Sequence, residues 1–333
     1  MTTNRLLGPA LLAVSVLAAT ACGTSAQTES GGDDGGALDI SLLTTYNGLP
    51  FYTAMLCGAK DAAADLGGGI EISTDGPSRG MNAADQVPVL ESVVNAGPDG
   101  LIFVPADPQA MLAPVRTAVD SGIAVVTTDA VLADEVALAQ FHGDSIAGGA
   151  LAAEELLTRV GDAEGKVLVL DNRPGLPLTN ERAEGFITGL EGAGNLEVLE
   201  TQYFEDDPNQ ASSIVQSSLQ AHPDIVGIFA TAEAGATGAA NALQAMNAED
   251  VAVIAYDAGP VLVRGLQDGT LDALVAQGSY QQGYDALTRL VSHLRDEDTA
   301  DLPFDNVVDN VLVTADNMDD PEVAKFLYPE SCS

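Results

Sequence analysis

The chain has 333 residues and is strongly acidic, with 49 Asp and Glu residues against 12 Lys and Arg residues and a formal net charge of −37. This length allows two domains of ordinary size, each with a core of its own. The negative charge makes nucleic acid and anionic lipid poor partners, because both carry charges of the same sign. We interpret the acidity as solvated surface charge that favours solubility; adaptation to a salt-rich habitat is the alternative.

The first 22 residues have the pattern of a secretory signal peptide. Arg5 supplies a positive start, residues 11–19 form an apolar run too short to span a membrane, and small residues lead to Cys22. The residues before Cys22 resemble a bacterial lipobox, so we expect lipidation there; an ordinary signal with an incidental cysteine is the alternative. Residues 23–37 have the composition of a flexible tether.

The chain has three cysteines, and their positions indicate which of them can form a disulfide. With Cys22 lipidated, Cys57 and Cys332 remain, and in an oxidising compartment their simplest fate is one disulfide. Such a bond ties the C-terminal tail to the first predicted helix; two free buried thiols are the alternative. We expect no metal site, because none of the three histidines has ligand spacing to a cysteine.

Strand and helix patterns alternate from residue 38 onward, and the pattern restarts after residue 143. This order predicts two right-handed, doubly wound α/β lobes. Continuous apolar runs such as 251–256 predict strands buried on both faces of a parallel sheet. The predicted strands are 38–45, 70–74, 101–104, 123–128, 166–170, 197–204, 226–230, 251–256, 273–276 and 307–313. The predicted helices are 51–66, 86–95, 108–121, 146–160, 180–192, 209–221, 234–246, 261–268 and 281–294.

Two predicted strands end in an aspartate that is followed by an alanine. Asp129 follows the strand at 123–128, and Asp257 follows the strand at 251–256. In open α/β sheets, ligands bind outside the carboxyl ends of the strands. One carboxylate at such an end in each half predicts a ligand cleft between two lobes; helix capping is the alternative role for both residues.

Several segments, in order and spacing, resemble the ribose- and galactose-type periplasmic binding proteins of bacterial ABC importers. The segments that carry the resemblance are 49–52, 122–129, 143–148, 180–186, 221–224, 256–257 and 274–277. The resemblance covers about residues 38–315 and implies two Rossmann-like lobes with parallel sheets, joined by three hinge crossovers, which is the type 1 fold. It divides the chain into an N-terminal lobe (38–143 plus 278–306) and a C-terminal lobe (144–277 plus 307–333).

The resemblance also implies which residues bind the ligand. A sugar presents hydroxyls and an apolar C–H face, which suit carboxylates, amides and an aromatic ring. The implied residues are Phe51 and Tyr52 as stacking aromatics, Asp129 and Asp257 as hydroxyl ligands, Gln277 at the hinge, and Asn180. Further candidates near the same mouth are Thr45, Tyr46, Arg182, Asp206 and Glu233. The alternatives are core packing for Phe51, pairing with hinge backbone for Gln277, and a structural ion pair for Arg182.

Departures from the ribose-type pattern indicate that the ligand differs from ribose. The pattern has Arg where this chain has Ala130 and Asn180, and Asn where this chain has Ala232. Because an arginine fork makes bidentate contacts that alanine cannot imitate, we expect a ligand of different shape, such as a sugar alcohol, a tetrose or a substituted sugar. The resemblance further implies a lipid-anchored monomer that presents its ligand to an ABC permease.

Other functions remain open at this point. A receptor for a furanosyl autoinducer or a nucleoside is the alternative binding function. Two carboxylates facing a cleft could in principle hydrolyse a glycoside, but in the family's layout they only bind. The sequence contains no phosphate-binding Gly-x-x-x-x-Gly-Lys-Ser/Thr motif. We therefore expect a binding protein without a cofactor, and not an enzyme.

Overall fold

The computed structural model of the chain describes residues 37–78, 82–248, 250–297 and 301–332. The predicted signal peptide, Cys22 and the predicted tether up to residue 36 lie outside the described residues. Within the described ranges, no helix is both long enough and apolar enough to cross a membrane.

Strands and helices alternate through most of the described chain. The strands are β1 (Leu38–Leu43), β2 (Ile70–Asp75), β3 (Gly100–Phe103), β4 (Ala124–Thr128), β5 (Gln140–Gly143), β6 (Gly165–Asp171), β7 (Leu196–Val198), β8 (Gln202–Tyr203), β9 (Ile225–Ala230), β10 (Ala252–Tyr256), β11 (Ala273–Gln277), β12 (Asp305–Val308) and β13 (Asn310–Thr314). The helices are α1 (Pro50–Leu66), α2 (Ala83–Ala96), α3 (Leu112–Asp120), α4 (Ser145–Val160), α5 (Pro177–Gly189), α6 (Pro208–Ala221), α7 (Glu233–Met246), α8 (Pro260–Asp268), α9 (Ser279–Leu294) and α10 (Pro321–Ala324).

Two sheets form the centres of two lobes. The N-terminal lobe has the strand order β12-β5-β4-β3-β1-β2, and its described pairs all run parallel. The C-terminal lobe has the order β13-β11-β10-β9-β6-β7, with β8 also paired to β6. In this second sheet β13 runs antiparallel to β11, and the other described pairs are parallel. The predicted two-lobed α/β architecture is confirmed.

Within the described residues, the chain passes between the two lobes at three places. Asp144 separates β5 from α4, Gly278 separates β11 from α9, and Asp309 separates β12 from β13. Each passage is a single residue between regular elements, so the lobes are joined by three short, adjacent segments. Such segments are suited to a hinge motion, because a few residues at element ends can absorb the change in backbone angles.

The central strands are buried on both faces, which explains why their sequences are continuous apolar runs. Every residue of β3 and of β4 is buried. On one face of the N-terminal sheet, α1 and α9 pack in close contact through glycines. A Cβ on Gly58 would lie 1.9 Å from the carbonyl oxygen of Tyr280, and one on Gly283 would lie 1.9 Å from that of Met55. Glycine at these positions lets the two helix backbones approach each other.

The strand predicted at 307–313 is wrong as a single element. The structure divides it at Asp309: β12 pairs parallel with β5 in the N-terminal lobe, and β13 pairs antiparallel with β11 in the C-terminal lobe. Val307 and Val308 therefore belong to the N-terminal sheet, and the passage lies at Asp309 rather than between 306 and 307. The segment reads Val-Val-Asp-Asn-Val-Leu-Val, and its Asp309-Asn310 pair, of residue types common in turns, is the local sign of the break that the single-strand prediction passed over.

Three further differences from the predicted elements concern β5, the segment 197–204 and the start of α3. The sequence analysis missed β5, whose four residues include Gln140, His142 and Gly143 and thus form no apolar run. The strand predicted at 197–204 is two short strands, β7 and β8. The helix predicted to begin at residue 108 begins at Leu112, because the Asp107 carboxylate accepts hydrogen bonds from the next backbone N–H groups and forms a turn there.

Candidate functional site

Asp129 and Asp257 share an unusual backbone conformation. Their φ angles are 66° and 79°, in the left-handed region, where aspartate is tolerated better than most residues. Each residue directly follows a central strand, β4 in one lobe and β10 in the other. Neither carboxylate caps the helix that follows it, because α4 is capped by Asp144 and α8 starts at Gly259 without a side-chain cap. Both aspartates therefore lie at the carboxyl edges of the two sheets.

Asp129 lies in a buried polar chain on the N-terminal lobe. Its side chain is buried, and the Tyr52 hydroxyl lies 3.5 Å from its Oδ2. The Tyr52 hydroxyl in turn lies 2.6 Å from Thr45 Oγ1. The backbone N–H of Asp129 donates to Gln282 Oε1 at 2.9 Å. The structure thus brings together Thr45, Tyr52 and Asp129 from the predicted set, and adds Gln282.

The pKa of Asp129 is raised to about 7, chiefly by burial and in smaller part by the nearby charge of Asp257. The charge of Arg182, the Tyr52 hydroxyl and His142 act in the opposite direction on this pKa. The two aspartates and the arginine are therefore close enough to sense one another across the boundary between the lobes. At neutral pH, Asp129 is near the midpoint of its titration, so a hydrogen-bond donor brought to this carboxylate would favour its charged form.

Asp257 is held from the hinge side of the C-terminal lobe. Gln277, the last residue of β11, donates from Nε2 to Asp257 Oδ1 at 2.7 Å. The hydroxyl of Tyr328 donates to the same oxygen at 3.3 Å. Gln277 thus uses its side-chain amide on the aspartate and not on hinge backbone, while its own backbone N–H donates to the Tyr328 hydroxyl at 3.2 Å.

Phe51 is mostly buried among aromatic rings. Its ring meets the edges of Tyr52 and Tyr328, with centroids 5.3 and 5.5 Å apart, and 9% of its surface is exposed. The ring therefore packs in the core next to both aspartate networks, and only an edge of it can face a ligand. Core packing and ligand stacking, the two roles considered for Phe51, are both compatible with this position.

Arg182 is a buried cation near both aspartates. Its guanidinium lies 3.9 Å from the centroid of the Tyr256 ring, and its Nη1 donates to the carbonyl oxygen of Thr231 at 3.0 Å. Its Nε is buried and has no hydrogen-bond partner among the described residues. Burial lowers the pKa of Arg182, but the charges of neighbouring groups, including Asp257 and Asp129, outweigh it and raise the pKa overall.

Two acidic candidates lie beside Asp257 in the C-terminal lobe. The pKa of Glu233, at the start of α7, is raised to about 7, chiefly by burial and then by the charge of Asp257, while Arg264 opposes the rise. Desolvation also raises the pKa of Asp206, against the charge of Arg173, although the residue as a whole is exposed. Both side chains therefore sense the Asp257 charge, which puts them at the edge of the same site.

Asn180 and Tyr46 have different surroundings. The Asn180 amide donates to Asp171 Oδ2 and to the Arg173 carbonyl, and its Oδ1 accepts from the backbone of Gly175, so its described bonds stabilise the loop after β6. It lines a separate groove of about 370 Å³ beside α5 and β8, which includes neither Asp129 nor Asp257. Tyr46 is half-buried, and its backbone carbonyl oxygen accepts a hydrogen bond from the Thr44 hydroxyl.

Cys57 of α1 and Cys332 of the tail form a disulfide with a Cα–Cα distance of 5.2 Å. This is the pairing expected from the sequence. Among the described residues, no group of three or more His, Cys, Asp or Glu side chains could hold a metal ion. The chemistry of the site is therefore that of carboxylates, amides, phenol hydroxyls and one guanidinium, a set suited to a neutral ligand rich in hydroxyl groups.

Comparison with known proteins identifies the family. The model of the periplasmic binding protein domain matches residues 40–298. The chain belongs to the periplasmic binding protein family. Its two lobes with parallel sheets have the type 1 arrangement of this family, and family membership implies an exported, extracytoplasmic protein. Members are solute-binding proteins of transport, which confirms the expectation of a binding protein rather than an enzyme.

Individual relatives include sugar-binding proteins. The ribose import binding protein RbsB of Escherichia coli is 28% identical over 238 residues, which cover 72% of this chain and 78% of the relative. RbsB of Bacillus subtilis is 27% identical over 272 residues, 80% of this chain and 86% of the relative. An ABC transporter solute-binding protein of Agrobacterium vitis, solved with bound α-D-tagatopyranose, is 30% identical with a TM-score of 0.79, and the match covers 88% of this periplasmic binding protein and 99% of the solved chain.

The sequence analysis missed Gln282 and Tyr328 as neighbours of the two aspartates. Gln282 lies near the start of α9, where its fully buried amide bonds the backbone of Asp129. The burial of Gln282 is hard to predict from the sequence, because a glutamine near the start of a helix is ordinarily exposed. Tyr328 lies in the tail, beyond the matched family segment, and the signal that could have found it was the cysteine four positions later at Cys332.

Proposed function

We propose that this periplasmic binding protein takes a small sugar or sugar alcohol into the cleft between its lobes and delivers it to an ABC permease. The observation that carries the proposal is the pair Asp129 and Asp257, one at a strand end of each lobe and both in left-handed conformation. Carboxylates are good acceptors for sugar hydroxyls. Relatives that are named for a sugar or were solved with a bound sugar support the same ligand class.

The mechanism follows from the distribution of these acceptors. A hydroxyl bound to Asp129 engages the N-terminal lobe, and one bound to Asp257 engages the C-terminal lobe. A ligand that satisfies both carboxylates favours the closed arrangement, because in an open cleft it can engage one lobe only. The passages at Asp144, Gly278 and Asp309 are the places where the backbone bends.

The remaining site residues have distinct proposed roles. Arg182 offers its unpaired Nε and its positive charge to a ligand oxygen between the aspartates. Thr45 and Tyr52 orient the Asp129 carboxylate, and Gln277 orients that of Asp257. Glu233 and Asp206 add acceptors on the C-terminal side, which suits a ligand with hydroxyls along its whole length. Asn180 and Tyr46 are proposed ligand contacts from the family resemblance alone.

The function is tested by a thermal-shift screen of the mature domain. We use the sugars found with relatives (D-ribose, D-tagatose, D-fucose, D-arabinose and D-allose) together with tetritols, pentitols and hexitols. A ligand that binds the folded state raises the melting temperature by mass action, by several degrees at about 100 times its Kd. We expect a shift from at least one compound in the wild type and none in Asp129→Ala or Asp257→Ala.

A matched control for these variants is Asp134→Ala, which removes an exposed aspartate paired with Arg116. It should keep the full shift. A screen in which every sugar and polyol is silent, while a nucleoside or a furanosyl autoinducer shifts the melting temperature, would replace the proposed ligand class. Hydrolysis of a glycoside by the wild type would contradict the binding-only function.

We also propose that the protein is a monomer anchored to the extracytoplasmic face of the membrane by a lipid on Cys22. Its support is the lipobox-like sequence before Cys22. In cells that express the full chain, the protein should sediment with membranes, and Cys22→Ser should release it. Sedimentation of both forms to the same extent would contradict the anchor, and a dimer of the mature domain in light scattering would contradict the monomer.

A further inference from the structure

The C-terminal tail contacts both lobes beside the candidate site. In the C-terminal lobe, the backbone N–H of Tyr328 donates to the carbonyl oxygen of Ala258 at 3.0 Å. In the N-terminal lobe, Cys332 is bonded covalently to Cys57 of α1. The tail therefore passes from the β10 end of one lobe to the first helix of the other, at a place separate from the passages at Asp144, Gly278 and Asp309.

Tyr328 reaches from this tail into the network of Asp257. It is buried, its ring meets the edge of Phe51 from the N-terminal lobe, and its hydroxyl bonds two groups of the C-terminal lobe. The hydroxyl accepts from the backbone N–H of Gln277 and donates to Asp257 Oδ1. Burial, followed by the charge of Asp257, raises the pKa of Tyr328 well above its ordinary range, so the phenol remains a donor.

Two donors thus converge on one carboxylate oxygen. Oδ1 of Asp257 accepts hydrogen bonds from the Tyr328 hydroxyl and from Gln277 Nε2, and no hydrogen bond from the described residues reaches Oδ2. This arrangement fixes the rotation of the carboxylate and leaves its second oxygen for a ligand.

We propose that Tyr328 is a positioning residue of the ligand site, and that the Cys57–Cys332 disulfide makes the tail a fourth connection between the lobes that holds Tyr328 in place. Cys332 lies four positions after Tyr328, so this connection can span at most about 14 Å when fully extended. The proposal rests on the proposed function for its ligand, but the connection itself is a property of the ligand-free protein.

The tail lies outside the segment that the family model matches. The family model ends at residue 298, and the sequence resemblance ends near residue 315. The tail contacts of this chain are those of Tyr328 and Cys332. They predict that the affinity of the cleft depends on the oxidation state of a cysteine pair that does not touch the ligand.

The first test uses amide hydrogen exchange without any sugar. In the oxidised wild type, the amides of Tyr328 and Gln277 should be protected by their bonds to Ala258 and to the Tyr328 hydroxyl. In the double variant Cys57→Ser/Cys332→Ser we expect both amides to exchange at least about tenfold faster, because the tail can detach. Unchanged exchange at both positions would overturn the fourth connection.

The second test compares two Tyr→Phe variants. Tyr328→Phe removes the hydroxyl that bonds Asp257, and Tyr280→Phe removes one that donates to Asp61 at 2.6 Å on the exposed surface. We titrate both with D-ribose, D-arabinose, D-allose, D-fucose and D-tagatose. For each sugar that binds the wild type, Tyr328→Phe should weaken binding about tenfold, since a bond to a carboxylate is lost, while Tyr280→Phe should not.

The two tests separate the possible failures. Equal affinities for Tyr328→Phe and the wild type, with a lowered melting temperature, would show that Tyr328 only stabilises the fold and would overturn its positioning role. If none of the five sugars binds the wild type, the proposed choice of sugars fails. The exchange experiment then still decides whether the disulfide holds the tail against the C-terminal lobe.

Discussion

At the scale of single residues, the site is dominated by a carboxylate that is costly to bury. The folded protein raises the pKa of Asp129 from 3.8 to about 7, chiefly through burial. A buried charge without a full set of donors destabilises the folded state, and binding sites commonly keep such groups where a ligand will satisfy them. We therefore expect Asp129 to lower the stability of the ligand-free protein while it supports binding.

The pH dependence of stability follows from this raised pKa. Between pH 3.8 and about 7 the folded state binds more protons at Asp129 than the unfolded state does, so stability falls as pH rises through this range. From about pH 5.5 to about pH 8, Asp129 should account for a loss on the order of 2 kcal/mol. Urea unfolding of the wild type and Asp129→Asn at both pH values measures this difference.

We predict that Asp129→Asn is more stable than the wild type at pH 8, with a smaller loss between the two pH values. Some pH dependence should remain, because the pKa of Glu233 is also raised to about 7. Asp134→Asn, which changes an exposed aspartate, serves as the control and should follow the wild type. If Asp129→Asn has the same pH profile as the wild type, Asp129 does not titrate as described.

The two aspartates could be predicted from the sequence because each directly follows an apolar run that is recognisable as a buried strand. A buried strand followed by Asp predicts a carboxylate at the sheet edge, and both residues lie there. Tyr328 could not be predicted in this way, because it contacts Asp257 from a position 71 residues later in the sequence. Asn180 is the reverse case. Its position in the motif predicts a ligand contact, whereas its described hydrogen bonds go to its own loop.

At the scale of elements, the close contact of α1 and α9 links the site to the hinge. α1 begins next to Phe51 and Tyr52, and α9 begins directly after the passage at Gly278 and includes Gln282. The register between these helices therefore determines whether Tyr52 and Gln282 meet Asp129. Gly58 allows that register, since a Cβ there would lie 1.9 Å from the Tyr280 carbonyl oxygen.

We predict that Gly58→Ala destabilises the protein by about 1–3 kcal/mol, as expected for an overpacked contact, and weakens sugar binding as well. Gly194→Ala is the matched control, because nothing lies within 4 Å of a Cβ at that position, and it should be neutral or slightly stabilising. Chemical unfolding of both variants provides the comparison. A stability equal to the wild type for Gly58→Ala would mean that the helices move apart at no cost.

Most elements could be predicted because periodicity and apolar runs reflect burial, and burial is nearly complete in strands such as β3 and β4. The failures have a common physical cause. β5 has Phe141 as its one buried residue, and the division at Asp309 separates two segments with the same strand character. Which sheet a strand joins depends on distant partners, β5 and β11 here, and such partners are not encoded locally.

At the scale of the whole molecule, the account describes two lobes that meet at three single-residue passages and one disulfide-anchored tail. If a ligand satisfies a carboxylate on each lobe, it should draw the lobes together. The tail limits how far they can separate on the side of Tyr328. Opening should therefore be asymmetric and larger on the side of the cleft away from the tail.

We predict that a sugar which shifts the melting temperature also makes the protein more compact in small-angle X-ray scattering. Reduction of the Cys57–Cys332 bond should increase the radius of gyration of the ligand-free form and leave that of the saturated form nearly unchanged. The double variant Cys57→Ser/Cys332→Ser controls for effects of the reductant. Equal radii of gyration with and without sugar would argue against closure as the response to binding.

A crystal structure of the mature domain with the sugar or polyol that gives the largest thermal shift tests directly whether both aspartates bind the ligand. We predict one molecule between the lobes, with hydroxyl oxygens within hydrogen-bonding distance of both the Asp129 and the Asp257 carboxylates. A molecule bound elsewhere, such as in the groove beside α5 and β8, or one that contacts neither aspartate, would contradict it.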